Sequence, residues 1–139
     1  MTINYSVSDW EARAREELTA GQYKIYARAR TRARRPFALG HAAIVAMRNG
    51  AETRVRAIYS KQIAPTQTSY SKAVRRGAPQ DQLSKLWDER ETALDAAFFP
   101  FHETLDIVRA AYEAGLATLD TALDQALEKA YHRAAREDL

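Results

Sequence analysis

The hydrophobic pattern is most regular in the C-terminal part of the chain. Apolar residues recur there at steps of four, three and four, and the whole pattern repeats every eleven residues. The positions are Phe101, Leu105, Val108, Tyr112, Leu116, Leu119, Leu123, Leu127 and Ala130. An eleven-residue period equals about 3.67 residues per turn, which is typical of a straight or slightly right-handed helix. The pattern therefore predicts one long helix over about 101–137, roughly 55 Å in length.

The N-terminal region carries signals for two short helices. Residues 8–11, Ser-Asp-Trp-Glu, form a capping box, which predicts a helix from about Asp9 to Ala20. Gly21 suits the left-handed position that ends such a helix. A second helical run, Gln22–Arg35, is expected to end before Pro36, because the residue before a proline is disfavoured in the α region.

Proline and glycine divide the middle of the chain. Pro36 suits the first turn of a third helix, and Asn49-Gly50 leaves either one or two helices there. Residues 63–80 are rich in Thr, Ser and Gln and predict a flexible loop. A further helix is predicted over 80–99, ending at Pro100. The whole chain, 1–139, is thus predicted to be a single all-α domain: an elongated bundle of four to five helices.

Charge divides the chain into a basic and an acidic region. Residues 1–76 contain fifteen Lys and Arg against five acids, whereas residues 81–128 contain eleven acids against three basic residues. The formal net charge of +3 conceals this difference between a basic region (residues 1–76) and an acidic helical region (residues 81–139). Two interpretations follow. Either a basic surface binds an anionic partner, or the two regions neutralise each other within the bundle.

The densest basic segment is Tyr23–Arg35. On a helix, Arg28, Arg32 and Arg35 share one side, and Arg30 with Arg34 forms a second row. Guanidinium groups pair well with phosphate oxygens, and the two tyrosines of the segment are placed to stack on bases. The predicted nucleic-acid-binding residues are Lys24, Arg28, Arg30, Arg32, Arg34, Arg35, Arg54, Arg56, Lys72, Arg75 and Arg76.

The long C-terminal helix predicts a protein contact. A compact domain of this size has a radius of gyration of only about 14 Å, so a 55 Å rod should protrude and its apolar stripe should bind a partner or a second copy. The aromatic residues Trp10, Trp87, Phe98 and Phe101 are expected in the core, whereas Phe99 is out of phase with its neighbours and is expected at a contact surface. The predicted protein-contact residues are Phe99, Leu105, Tyr112, Leu116, Leu123 and Leu127.

The sequence carries no signature of catalysis. It has no cysteine, three isolated histidines, and no phosphate-binding loop or activated nucleophile, so no catalytic residue, metal, cofactor or small-molecule substrate is predicted. It also lacks a signal-peptide core and any apolar stretch of membrane-spanning length, which favours a cytoplasmic protein.

These patterns favour a non-enzymatic helical subunit of a nucleoprotein assembly that contacts a nucleic-acid backbone without reading its sequence. The alternative is a structural or adaptor protein whose arginines make protein contacts only. A virion or secretion-machine component, or an inhibitor that binds another protein, would belong to that class.

Overall fold

A computed structural model describes residues 7–137 of the chain, and these form three α-helices and no strand. Helix α1 spans Val7–Glu17, α2 spans Ala20–Arg75 and α3 spans Gln80–Ala135. The all-α prediction is therefore confirmed. The predicted number of four to five helices is wrong for the described residues, because α2 and α3 each continue through positions where the sequence predicts a helix end.

Helix α2 passes through Pro36, Asn49-Gly50 and Pro65 without a break. An interior proline removes one backbone hydrogen bond and costs about 3 kcal/mol, but it does not forbid a helix that is held by packing on both sides. Phe37 packs against the core, and the side chain of Ile44 lies so close to Gly115 of α3 that a Cβ there would be 3.0 Å from Ile44 Cδ1. This packing outweighs the local preference to stop.

The predicted loop 63–80 is helical as far as Arg75. Ile63 and Ala73 are buried, so both help to fix this segment as helix. The helix ends in a Schellman motif, in which Gly77 has a φ of 70°, its N–H donates to Val74 O (3.2 Å), and the N–H of Ala78 donates to Ala73 O (3.1 Å). Helix α3 begins shortly after this motif, at Gln80.

Helix α3 likewise continues through Pro100, where the sequence predicts an end. Ala97 and Leu105, on either side of the proline, are both buried. The hydroxyl of Thr104 donates to the carbonyl oxygen of Pro100 at 2.7 Å, adding a local bond in this turn. The predicted C-terminal helix over 101–137 is thus the second half of a 56-residue helix.

The boundary between α1 and α2 differs from the prediction by a few residues. Helix α1 already begins at Val7 and ends at Glu17, and Gly21 lies inside α2. The cap of α2 is Thr19: its Oγ1 accepts from the N–H of Gln22 at 3.2 Å, while Gln22 Oε1 accepts from the N–H of Thr19 at 3.0 Å. This reciprocal pair is a capping box with the Thr-x-x-Gln pattern.

The chain forms two compact units. The first comprises the described residues of Met1–Ala46 and Tyr112–Leu139, and the second comprises Met47–Ala111. The core of the first unit consists of Trp10, Ala14, Tyr26, Leu123, Leu127, Ala130, Tyr131 and Ala134. In the second unit the buried apolar residues are Ile63, Ala73, Ala97 and Leu105. Among the described helices, none combines the length and the apolar character needed to cross a bilayer.

Candidate nucleic-acid interface

Helix α2 carries almost all of its charge in one sign. It contains twelve Lys and Arg and a single acid, Glu52. In the first unit, four exposed basic residues follow one another at steps of four, four and three: Lys24, Arg28, Arg32 and Arg35. We call these four the basic row. Helix geometry places the row roughly opposite Tyr26, which is fully buried in the core. The row therefore faces solvent along about three turns of helix.

Ten of the eleven predicted nucleic-acid-binding residues are exposed, and none of these ten is in an ion pair within the described residues of the chain. They are Lys24, Arg28, Arg32, Arg34, Arg35, Arg54, Arg56, Lys72, Arg75 and Arg76. The one ion pair between α2 and α3 among the described residues joins Glu52 to Arg109 at 3.7 Å. Here the acid lies on α2 and the base on α3, the reverse of the arrangement that the charge pattern predicts. The second interpretation of the charge pattern, in which basic and acidic side chains neutralise each other in pairs, therefore does not apply to these ten residues.

Arg30 is the exception, and its predicted role in binding is not supported by its position. Its guanidinium forms an ion pair with Glu11 of α1 and lies 3.3 Å from the hydroxyl of Tyr23, and only 20% of its side chain is exposed. Arg30 lies on the side of α2 that faces α1, well away from the basic row. Its charge holds the two helices together instead of facing solvent.

The tyrosines of the basic segment are also structural. Tyr26 is completely buried, and burial raises the pKa of its hydroxyl to about 12, with the nearby Glu11 carboxylate adding to the effect. The hydroxyl of Tyr23 donates to Glu11 Oε1 at 2.8 Å. Both rings pack in or against the core of the first unit, so neither is presented to a nucleic-acid base.

Glu11 is the centre of this polar cluster. Its Oε1 accepts hydrogen bonds from Arg30, from Tyr23 and, at 3.3 Å, from Arg15 Nε. Burial alone would raise the pKa of Glu11, but the hydrogen bonds from Arg30, Tyr23 and Arg15 lower it overall below its ordinary value. The carboxylate is therefore held in its charged form by donors from α1 and α2.

The basic residues of the second unit are more scattered. Arg54 and Arg56 are two apart on α2, so they point in different directions. Lys72 and Arg75 lie in the last turn, where cations are favoured by the helix dipole whatever else they bind. In this unit the exposed charges do not form a continuous row.

The predicted protein-contact residues fall into two groups. Leu105, Leu123 and Leu127 are buried by the chain itself, and Tyr112 and Leu116 are half-buried. This stripe packs inward, so it does not supply the partner surface that a protruding rod would have offered. Phe99, by contrast, is 76% exposed.

Sequence reasoning missed a second exposed aromatic residue beside Phe99. The pattern predicts Phe98 and Trp87 in the core, but they are 47% and 43% exposed. The Phe98 ring contacts Phe99 (centroids 5.8 Å apart) and His102 (4.2 Å). Phe98 follows Leu94 by four residues and is in phase with the apolar stripe, so its spacing gave no signal that the ring would be exposed.

The described residues of the chain contain no group of three or more acidic or histidine side chains arranged to hold a metal ion. In comparisons with protein-family models, with curated proteins and with solved structures, the chain matches none.

Proposed function

We propose that this protein is a non-enzymatic helical subunit of a nucleoprotein assembly and that it binds a nucleic-acid backbone through the basic row of α2. The observation that supports this proposal is the row itself: Lys24, Arg28, Arg32 and Arg35 are exposed, share one side of a helix, and have no acidic partner within the described residues. No acid interrupts α2 from Ala20 to Ala51.

The chemistry of the row favours binding without sequence readout. Lysine and arginine bind phosphates whatever the base sequence, and the row carries none of the Asn, Gln or aromatic side chains that add contacts to base edges or stack on bases. The nearby aromatic residues Tyr23 and Tyr26 are occupied in the core of the first unit. From Lys24 to Arg35 the row rises about 16 Å, which matches about five nucleotides of one strand of B-DNA.

The strength of binding should depend steeply on salt. If all four residues of the row contact phosphates, the slope of log K against log salt is about −3.6 for double-stranded DNA and about −2.8 for a single strand. Fluorescence anisotropy with unrelated oligonucleotides, titrated from low to physiological salt, measures this slope directly. Similar affinities on unrelated sequences are expected.

A double variant tests the row specifically. Arg28→Ala with Arg32→Ala should flatten the slope by about two and weaken binding by the same factor on every sequence. The matched control is Lys129→Ala with Arg133→Ala, an exposed pair at the same four-residue spacing on α3 of the same unit. The control removes the same charge and should leave most of the binding intact. Equal losses in the two double variants, or no loss in the first, would show that binding does not use the row.

The alternative, a structural or adaptor protein that contacts only other proteins, is favoured by one observation. Phe98 and Phe99 form an exposed aromatic pair on α3, and exposed aromatic residues are common at protein interfaces. If the wild-type protein binds no oligonucleotide even at low salt, the adaptor function replaces the first proposal.

A further inference from the structure

An exposed row on α3 combines aromatic and acidic side chains. Asp95, Phe99, His102 and Asp106 follow one another at steps of four, three and four, and all four are exposed. We call them the acidic–aromatic row. Phe98 lies beside it, with its ring centroid 5.8 Å from that of Phe99 and 4.2 Å from that of His102. The row is thus a short apolar patch with a carboxylate at each end.

This patch has no partner within the described residues of the chain. Asp95 and Asp106 are in no ion pair there, and Phe99 is 76% exposed. A surface of this composition suits a partner with two cations at its ends and arginine between them. Carboxylates pair with the cations, and aromatic faces attract guanidinium groups.

The basic row of α2 has this composition and this spacing. Lys24 and Arg35 are eleven residues apart, and so are Asp95 and Asp106. Eleven residues make just over three helical turns, so in each row the two charged ends point to the same side and stand about 16 Å apart.

We propose that the acidic–aromatic row of one molecule binds the basic row of a second copy of this chain, with the two helices antiparallel. That orientation sets Arg35 against Asp95 and Lys24 against Asp106. It also places Arg32 over Phe98 and Phe99, where a guanidinium can stack on the exposed rings. Because the two surfaces differ, the contact is heterologous.

The association is weak and salt-sensitive. About three turns of helix against helix bury less than the ~1,200 Å² that marks the lower end of stable interfaces. Exposed charge pairs at the ends lose strength as salt rises. The contact goes beyond the proposed function and does not depend on it. If both hold, nucleic acid and the second copy compete for the basic row.

Sedimentation equilibrium over a concentration series tests the surface on α3. At low salt the wild-type mass should rise above the 15.7 kDa of the monomer as concentration increases. Phe99→Ala should weaken association about tenfold, as expected for an aromatic at the centre of a contact. The matched control is Ile107→Ala, which removes another exposed apolar side chain of α3 that points away from the row. A wild-type protein that stays monomeric, or a Phe99→Ala variant that associates like wild type, overturns the proposal.

Complementation identifies the occupant. One variant carries Asp95→Lys with Asp106→Lys, and the other carries Lys24→Glu with Arg35→Glu. Each alone should stay monomeric at concentrations where wild type associates, because each lacks one of the two surfaces. Mixed together they should associate, since each supplies the surface that the other lacks. All four positions are exposed, and circular dichroism verifies that both variants remain helical.

A mixture that stays monomeric refutes the second copy as the occupant. So does a Lys24→Glu/Arg35→Glu variant that associates alone like wild type, because the partner surface would then lie elsewhere. The two proposals fail separately. A wild-type protein that self-associates but binds no oligonucleotide refutes only the proposed function. A wild-type protein that binds oligonucleotides but never self-associates refutes only the contact between copies.

Discussion

Replacing Trp10 by alanine removes the main anchor of α1. Trp10 is 3% exposed, and its ring packs on Tyr131 (centroids 5.5 Å apart) and on His132 (5.8 Å). A buried aromatic side chain removes about 150–250 Å² from water, and at about 25 cal/mol per Å² this corresponds to roughly 4–6 kcal/mol. Since measured Trp→Ala losses are about 3–5 kcal/mol, we expect the free energy of unfolding to fall by that amount.

The loss has an upper limit set by the size of α1. The helix has only 11 residues, and an isolated helix of that length is marginal in water. If Trp10→Ala releases α1 altogether, the loss equals the whole docking free energy of the helix and cannot grow further. Urea unfolding followed by circular dichroism separates the two cases. An unchanged m-value indicates a docked helix with a cavity, and a smaller m-value indicates a released helix.

The chain provides both a control and a reporter for this experiment. Phe99→Ala removes a large aromatic residue that is 76% exposed, and it should change the free energy of unfolding by less than about 0.5 kcal/mol. In the Trp10→Ala variant the remaining tryptophan, Trp87, lies in the second unit, so its fluorescence follows that unit alone. A loss below about 1 kcal/mol in Trp10→Ala would refute the assignment of Trp10 to the core.

Three further predictions concern single sites. Glu11→Gln should lower the free energy of unfolding by about 1–3 kcal/mol near neutral pH. Because folding lowers the pKa of Glu11, the stabilisation by its carboxylate is complete above the ordinary carboxyl pKa and is lost as the pH falls through the folded-state pKa. The unfolding free energies of variant and wild type should therefore converge in acid, and a difference that stays constant with pH would contradict this. Gly50→Ala should raise the free energy of unfolding by about 0.5–1 kcal/mol, since nothing lies within 4 Å of the added Cβ. Gly40→Ala should raise it less, because its Cβ would lie 2.8 Å from Leu119 Cδ2. Equal increases for the two variants in urea denaturation would refute the close packing of Leu119 on Gly40. Gly77→Ala should cost about 1–2 kcal/mol by forcing a Cβ into a left-handed conformation, and a neutral effect on the thermal midpoint would argue against the Schellman motif.

The fold class was predictable from the sequence because periodic apolar positions dominate it. The spacing of Leu105, Leu123 and Leu127 correctly predicted that they share one helix face, but that face was assigned to a partner, whereas the chain itself buries all three. The helix ends were not predictable in the same way. Pro36 and Pro100 act locally against a helix, but the packing that overrides them comes from residues far away in the sequence. Local signals cannot report the strength of such distant contacts.

The candidate site was likewise predictable only in part. The shared helix face of Arg28, Arg32 and Arg35 was predictable from their spacing, whereas the sequence left open whether that face is exposed or paired with acids. The position of Arg30 away from the exposed row was not predictable, because it depends on where α1 docks and on the ion pair with Glu11. The capping box at Thr19 was readable, since Thr-x-x-Gln is visible in the sequence. Gly21, two residues later, is a competing signal, because glycine is common where a helix ends.

The short connection at Gly77 has a consequence for how the molecule assembles. Contacts near it join residues close in sequence, such as the Tyr70 and Trp87 rings at 5.2 Å, whereas Gln22 bonds the carbonyl of Glu137 across 115 positions. Closing a short loop loses less chain entropy than closing a long one, so we expect contacts beside the connection at Gly77 to form before the contact between Gln22 and Glu137. A growing polypeptide can therefore complete its second unit before the residues that bury Trp10 have been synthesised, and until then the basic segment lacks the surface on which it folds.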